Sequence, residues 1–568
     1  MSLNLNRVHG ASSASATSKS GAALVPRTTL FDHAILPVPS NMPNVNQLCE
    51  FVALNNGARA GMAQETSISL TSWHKYAKES FKMDTGYAQL VFDIFFDSMC
   101  EGNASDASTV SPAPFALFLY VLAVYKDESL IGGTPRALRA DIAYPQLTAS
   151  DSLSPRSSQQ LSPRTVVSGS KASELEKKQI SFIQKNVKEL LHIVSGSASS
   201  THVHPSQFDA MGAILMAPYG VPQSNLSSLV PFWKGKQELV SVSDLCSWIS
   251  ESLPVQEQPS PARFHSSASS PTKVHGESSV IETAAAERSG GFMLHNISRS
   301  TIIRSSQELV PNAPSQEQAW QTSQQKWMKI QNCYDSFIYI TAPLHHVVIT
   351  GCVNCTILIA AANLVTMDNC ERSKFIFGCR RLHVANSIDT TLHILTNRQP
   401  ILLGENHDLI VAPFNALLAD CLAMWRFLQI DRSKNRWAEA LWISRNASGI
   451  VLTGGAIPGF SQMPPQNFFC VTVPSNQPQP SSIVASQANP CPLPPNYATA
   501  LQQKHKQVLD LRKEIADTEA GAGSTKQALQ KAIQAKFKEW LVSTGNMRQV
   551  QDLVHMEHPY SRPEDAKS

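Results

Sequence analysis

Short apolar triplets recur between Phe337 and Val411 at a nearly constant interval, and this periodicity limits what the chain can fold into. One series is Phe337-Ile338-Tyr339, Ile357-Leu358-Ile359, Phe375-Ile376-Phe377, Leu392-His393-Ile394 and Leu409-Ile410-Val411, in steps of 20, 18, 17 and 17 residues. A second series lies between: Val347-Val348-Ile349, Val365-Thr366-Met367, Leu382-His383-Val384 and Ile401-Leu402-Leu403, in steps of 18, 17 and 19. Each triplet is β-branched or aromatic-rich and alternates around its centre, which suits a strand. Two interleaved series of one period mark a coiled array, with about 18 residues to a rung. The expected fold is a multidomain α+β chain organised around a central parallel β-helix. Gly351-Cys352, Asn369-Cys370 and Asn386-Ser387 follow the second series in steps of 18 and 17. Gly378-Cys379 follows the first series in the same way. Small residues and Asn suit corners, because Asn visits the left-handed region and bonds locally.

The 568 residues allow two to four domains. A net charge of +3 is nearly balanced and gives no argument for nucleic acid. No apolar run reaches the roughly 18 residues that span a bilayer. Met1 to Ser20 lacks an apolar h-region, so no secretory signal is expected. Eleven scattered cysteines fit reduced thiols in an intracellular protein rather than a disulfide framework.

Around the repeat, composition divides the chain. Residues 1–28 read as disordered, 29–148 as a helical N-terminal region, 149–172 as a linker and 173–254 as a second helical region. A linker over 255–293 precedes the repeat domain, 294–435, and a C-terminal extension, 436–473. A Pro-rich linker, 474–496, leads to a helical hairpin, 497–555. In the first region Tyr87, Leu90, Val91, Ile94 and Phe95 share one helical face, with Asp93 and Asp97 opposite. Phe115 to Tyr125 is apolar nearly all round and predicts a buried helix. Ile180, Ile183, Val187, Leu190 and Val194 predict another, and Phe208 to Met216 and Val240 to Leu253 two more. The N-terminal half reads as helical blocks on flexible connections. Ala416 to Trp442 has a helical pattern, and Phe468 to Val473 that of a strand. In the tail, Leu501, Val508, Leu511 and Ile515 share a face, Ser524 and Gln527 form a capping box, and Leu529, Ile533, Phe537, Trp540 and Leu541 form a stripe. That stripe either docks on the body of the protein or binds a partner.

No constellation compels an enzymatic reading. Cys352-Val353-Asn354-Cys355 has zinc-like spacing but no second pair, so buried thiols at a corner are expected. His345, His346, His383, His393 and His407 fall on different rungs, and no metal or cofactor is expected. Asp368, Glu371, Asp389, Glu405 and Asp408 raise a carbohydrate-active β-helix, which needs a carboxylate pair at defined separation. Most of them fall at corners or loops, where solvation explains them.

Gly378-Cys379-Arg380-Arg381-Leu382-His383-Val384 and the closing Val411-Ala412-Pro413-Phe414 resemble the cofactor C-like (C-CAP) β-helix family. That family includes tubulin-binding cofactor C, the X-linked retinitis pigmentosa protein and cyclase-associated proteins. The resemblance covers Phe337 to Phe414, with patches at Trp73-His74, Tyr87 to Ser98, Phe115 to Tyr120 and Lys536 to Gly545. It implies a right-handed coil. In catalytic members a strand reading approximately Cys-Gln-Gln-Leu-Arg presents an arginine finger to a GTPase. Here that arginine position is His383, with Arg380 and Arg381 as surrogates. A histidine lacks the planar five-donor guanidinium, and loss of a finger costs about 10³ to 10⁵ in rate. The resemblance implies a non-enzymatic scaffold of the cytoplasm and cytoskeleton, at centrosomes, basal bodies or spindle poles. It would position the centrosome and Golgi and influence cell shape and migration. Its partners would be proteins: centrosomal proteins, tubulin or an Arf-like small GTPase. The alternative is a GTPase-activating protein for tubulin or an Arf-like GTPase.

Overall fold

The computed structural model describes residues 24–55, 67–99, 109–125, 170–217, 225–233, 239–253, 291–324, 326–418, 420–446, 449–473, 489–519, 523–543, 546–547 and 549–551. Its centre is a 12-stranded sheet: β1 Gly291–His295, β2 Thr301–Ser305, β3 Trp327–Gln331, β4 Phe337–Thr350, β5 Thr356–Asp368, β6 Lys374–Ala385, β7 Ile388–Thr396, β8 Ile401–Leu403, β9 His407–Pro413, β10 Leu441–Asn446, β11 Gly449–Gly454 and β12 Phe460–Gln462. Every pairing in it is parallel except β10 with β11.

The two triplet series are the two halves of single long strands. The first halves of β4, β5 and β6 form a ladder with β2 on one side and β7, β9 and β12 on the other. The second halves form a second ladder, reached from β1 and β3 and continued by β8 and β10. Register shifts at Ile340/Pro343 and Ile359/Ala362 mark the change from one to the other. Bridges at Ser298, Tyr334, Val353, Glu371 and Ile388 make a short third side.

The register removes both irregular steps of the repeat. Ile338, not Phe337, stands beside Ile357, and Val384 beside Leu402. The first triplet of one series and the last of the other are thus displaced by one residue, which reverses their faces. Ile338 and Ile340 point inward with Ile357, Ile359, Phe375 and Phe377, whereas Tyr339, Leu358 and Ile376 belong to an outer cluster. That outer face is covered by helix α7 (Cys421–Phe427), whose Trp425 Nε1 donates to Ala360 O at 2.9 Å.

Corners behave as the Asn and Gly positions require. Asn332, Gly351, Asn369, Asn386 and Gly404 all have φ between 47° and 66°. A second left-handed column, Asp335, Asn354, Arg372, Asp389 and Asp408, flanks the other end of the third side. Left-handed backbone costs a residue with a Cβ about 1–2 kcal/mol. Asn369 also donates from Nδ2 to Asp368 Oδ2 at 2.7 Å. Asn369→Ala should therefore cost about 1–2 kcal/mol in urea unfolding, and Asn369→Gly less than half of that. Gly378 is not a corner. It lies inside β6, where a Cβ would stand 2.4 Å from Ala360 O and 2.6 Å from Trp425 Nε1.

The N-terminal half carries α1 Val45–Asn55, α2 Leu70–Glu79, α3 Thr85–Met99, α4 Pro112–Val124, α5 Ser170–Ser195 and α6 Val242–Ser252. The apolar faces of α3 and α5 are buried as their spacing predicts. These helices are not separate blocks. They share one core, which also includes Ala385, Ile401, Leu403 and Ile443 of the sheet. Ile401 and Leu403 face away from the cluster that holds Leu402 and need a cover, and the N-terminal half supplies it.

Three sequence-level assignments are corrected. Phe208 to Met216 begins in the last residues of a single turn, Pro205–Asp209, and continues as a 3₁₀ turn, Ala210–Ala213, and a strand, Leu215–Met216, paired with Val25–Pro26. Among the described residues of Ala416 to Trp442 only α7 is helical, because Gln429 turns at φ 57° and Asn397 then holds the backbone of Asp431. Of Phe468 to Val473 only Val471–Thr472 pairs as a strand, with Ala416–Leu417. The tail forms α8 Pro495–Glu519 and α9 Gly523–Ser543. Side chains at the expected capping box, and the Ser/Pro linkers, lie outside the described residues. No helix among the described residues is long and apolar enough to cross a membrane.

Candidate functional site

The site grows from the alternation of β6. Leu382 and Val384 belong to the inner core of the sheet, so Arg381 and His383 point to its other face. In register, Arg381 stands beside Leu364, which stands beside His346; His383 stands beside Thr366. The outer face of the second ladder therefore presents His346, Thr366, Arg381 and His383 together.

That face is covered. The 3₁₀ turn Thr28–His33 and helix α3 lie over it and deliver Asp32, His33, Asp97 and Ser98. Asp97 gathers three arginines. Arg381 Nη2 donates to its Oδ2 at 2.7 Å. Arg398 grips both oxygens, Nε to Oδ2 at 3.0 Å and Nη2 to Oδ1 at 2.8 Å. Arg380 Nη2 stands 3.8 Å from Oδ1. The Arg381 side chain is 5% exposed and that of Asp97 9%. Burial alone would raise the Asp97 carboxyl, but Arg381 and Arg398 outweigh it and hold it below the usual carboxylate range.

A histidine cluster adjoins the clamp. His346 lies 3.1 Å from Asp32 Oδ1 through Nδ1 and 3.0 Å from Thr366 Oγ1 through Nε2. His33 Nε2 lies 2.7 Å from Ser98 Oγ, whose hydroxyl donates to Ile94 O. The serine proton is thus committed, so Nε2 of His33 carries its own. The rings of His33 and His383 are 5.7 Å apart. Burial pushes His33 well below its ordinary range, with His383 and Arg381 adding to it. Burial and Arg381 do the same to His383. Both ring nitrogens of His383, Nε of Arg381 and Nδ1 of His33 are buried without a hydrogen-bond partner in the protein. A cavity of ≈ 20 Å³, room for about one water molecule, is lined by His33, Asp97, Ser98 and Arg381.

Of the sequence-derived residues, Arg380, Arg381 and His383 therefore come together, but beneath the chain's own N-terminal half. A finger must put a free guanidinium onto a phosphate. Arg381 already holds a carboxylate, and His383 is buried and held neutral. Sequence reasoning missed Asp32, His33, Asp97 and Arg398. It placed Asp97 opposite the apolar face of α3, and the structure shows that this residue meets the sheet. Of the other histidines, His345 lines the same cavity, whereas His393 packs against Phe468, at 6.1 Å between rings, and His407 begins β9. Cys352 and Cys355 are buried free thiols, and burial pushes Cys355 up to about 12. Asp389 and Asp408 sit at corners, while Asp368 is buried and accepts from Asn386 Nδ2 at 2.9 Å.

Residues 325–441 match the family model described as "Tubulin binding cofactor C". The chain is similar to the TBCC domain-containing protein 1 of Xenopus tropicalis, 27% identical over 266 residues, 46% of this chain and 43% of that protein. The Bos taurus protein of the same name is 28% identical over 231 residues, 40% of this chain and 39% of its own length. The matches thus span less than half the length of these curated relatives. Among solved structures, a "Tubulin Binding Cofactor C from Leishmania major" aligns at 14% identity and a TM-score of 0.19, over 23% of this chain and 84% of that one.

Proposed function

We propose that this chain, which carries a tubulin binding cofactor C domain in residues 325–441, is a non-enzymatic scaffold of the cytoskeleton. Its repeat is read as a right-handed parallel β-helix whose catalytic position has been given over to internal packing. One observation carries the reading: His383 is fully buried against His33, and the neighbouring Arg381 is spent on Asp97. The family description and the relatives named for a TBCC domain support a tubulin-related setting. In this reading the protein works at centrosomes, basal bodies or spindle poles. It helps position the centrosome and Golgi, binding centrosomal proteins, tubulin or an Arf-like GTPase without accelerating hydrolysis.

The test is single-turnover GTP hydrolysis with the full chain, tubulin and Arf-like GTPases, at concentrations where binding is seen. No acceleration is expected. His383→Arg should not create it, because the new guanidinium would be buried beside Arg381, and it should lower the unfolding midpoint. Acceleration that Arg380→Ala abolishes in a variant with an unchanged unfolding midpoint would establish an activating protein instead. Proximity labelling with the full chain, compared with one lacking 497–568, tests the location and shows which end recruits partners.

A further inference from the structure

Three atoms that must hydrogen-bond gather at the cavity beneath the N-terminal turn. Arg381 Nε, His33 Nδ1 and Asn363 Oδ1 are buried without a partner in the protein, and all three residues line that cavity. They come from three places: His33 ends the 3₁₀ turn Thr28–His33, Asn363 lies in β5, and Arg381 lies in β6 on the next rung. The register sets Leu364, the neighbour of Asn363, beside Arg381. His33 is near enough to Arg381 for the guanidinium charge to act on its ring. Other polar side chains at the wall are engaged. Asp97 accepts from Arg381 Nη2 and Arg398, Asp32 Oδ1 lies 3.1 Å from His346 Nδ1, and the Ser98 hydroxyl donates to Ile94 O at 2.7 Å.

Donor and acceptor roles select the ligand. Arg381 Nε always carries a hydrogen and can only donate. His33 carries its proton on Nε2, because Ser98 spends its own on Ile94, so Nδ1 can only accept. Asn363 Oδ1 can only accept. The set is one donor and two acceptors, and a ligand that completes it accepts one hydrogen bond and donates two. Water does so, and buried polar groups that no protein atom reaches are commonly satisfied by ordered water. The cavity of ≈ 20 Å³ exceeds the about 10–15 Å³ that one water needs. A halide donates nothing and would face both acceptors. A cation would face Arg381, with Arg380 also at the wall. A carboxylate or phosphate is too large for the space.

We infer that this cavity is a binding site for a single ordered water, which accepts from Arg381 Nε, donates to His33 Nδ1 and Asn363 Oδ1, and so ties the N-terminal turn to two successive rungs of the sheet. The site stands apart from the scaffold reading, and GTP hydrolysis does not test it. Two measurements do. In a crystal structure of the full chain that shows ordered water, one peak should stand about 2.7–3.2 Å from all three atoms and give no anomalous signal after a bromide soak. In solution, deuteron magnetic relaxation dispersion counts the waters held inside the protein. Asn363→Leu, close to asparagine in size but without an acceptor, should lose one such water and lower the unfolding midpoint. Three results overturn the inference: no peak in the cavity, a peak with bromide anomalous signal, or an unchanged water count in folded Asn363→Leu. If that variant does not fold, the peak in the unaltered chain decides.

Discussion

Asp97→Ala should destabilise the protein by about 3–5 kcal/mol, the cost of breaking a buried ion pair from one side. The substitution removes one carboxylate and strands Arg381 and Arg398, which share it at 2.7 and 2.8 Å. Three donors, Arg381 Nη2 and Arg398 Nε and Nη2, lose their acceptor, and that of Arg381, on a side chain only 5% exposed, is the one water does not readily reach. Replacing a partnered group is costly mainly through what it leaves unpaired. A double-mutant cycle separates that from the pair's own worth: Asp97→Leu with Arg381→Met should recover much of the loss. Urea unfolding measures both. A loss under about 1 kcal/mol, the range of exposed pairs, would mean that the clamp is solvated.

Acid should weaken the protein steeply below neutral pH. His33, His383 and His393 are all held below the ordinary histidine value of 6.5, His393 at about 3, with burial the first cause for each. Around the first two stand Arg381, His345, His346, Asp32 and Asp97. A depressed histidine is neutral when folded and protonates first in the unfolded chain. Its stabilisation is thus complete above the unfolded value and is lost as pH falls from there towards the folded value. Each such group contributes up to about 1.4 kcal/mol per pH unit. The three together give a loss on the order of 4 kcal/mol between pH 7.5 and 5.5, large against a typical domain stability of about 5–15 kcal/mol. Asp97 acts in the same direction, only at lower pH, because its carboxyl is depressed as well. His393→Phe should make the slope shallower by about a third. Urea midpoints across that pH range decide it, and a flat profile contradicts the burial of these rings.

The repeat was legible because its physics is local. A triplet with β-branched residues at period two needs no knowledge of its neighbours, and Asn or Gly at corners answers to a backbone angle. The two uneven steps showed where reading stopped: Phe337 and Ile401 are apolar but stand one position out of register, and only pairing reveals it. The site was half legible. The resemblance drew attention to the strand of His383, but no pattern in Asp97 or His33 announces a partner roughly 300 residues away. Asp97 on an amphipathic helix looks like a solvated carboxylate. It becomes a buried clamp only because Arg381 and Arg398 come from successive rungs that the sheet brings together. Arg381 itself was ambiguous for the same reason: an outward arginine on a strand is free or spent depending on what covers the strand. The tail shows the opposite case, since a stripe that looked ready to dock remains in solvent at Ile533 and Phe537.

The covered arginine face is tested most directly by chemical footprinting. The native full-length chain is treated with an arginine-selective dicarbonyl and mapped by mass spectrometry. Arg299, 69% exposed in its side chain, serves as the internal standard, against 5% for Arg381. Arg381 should remain unmodified while Arg299 reacts fully, and Arg381 should begin to react in Asp97→Ala. Modification of Arg381 in the unaltered chain at the rate of Arg299 would show an open face and contradict the account.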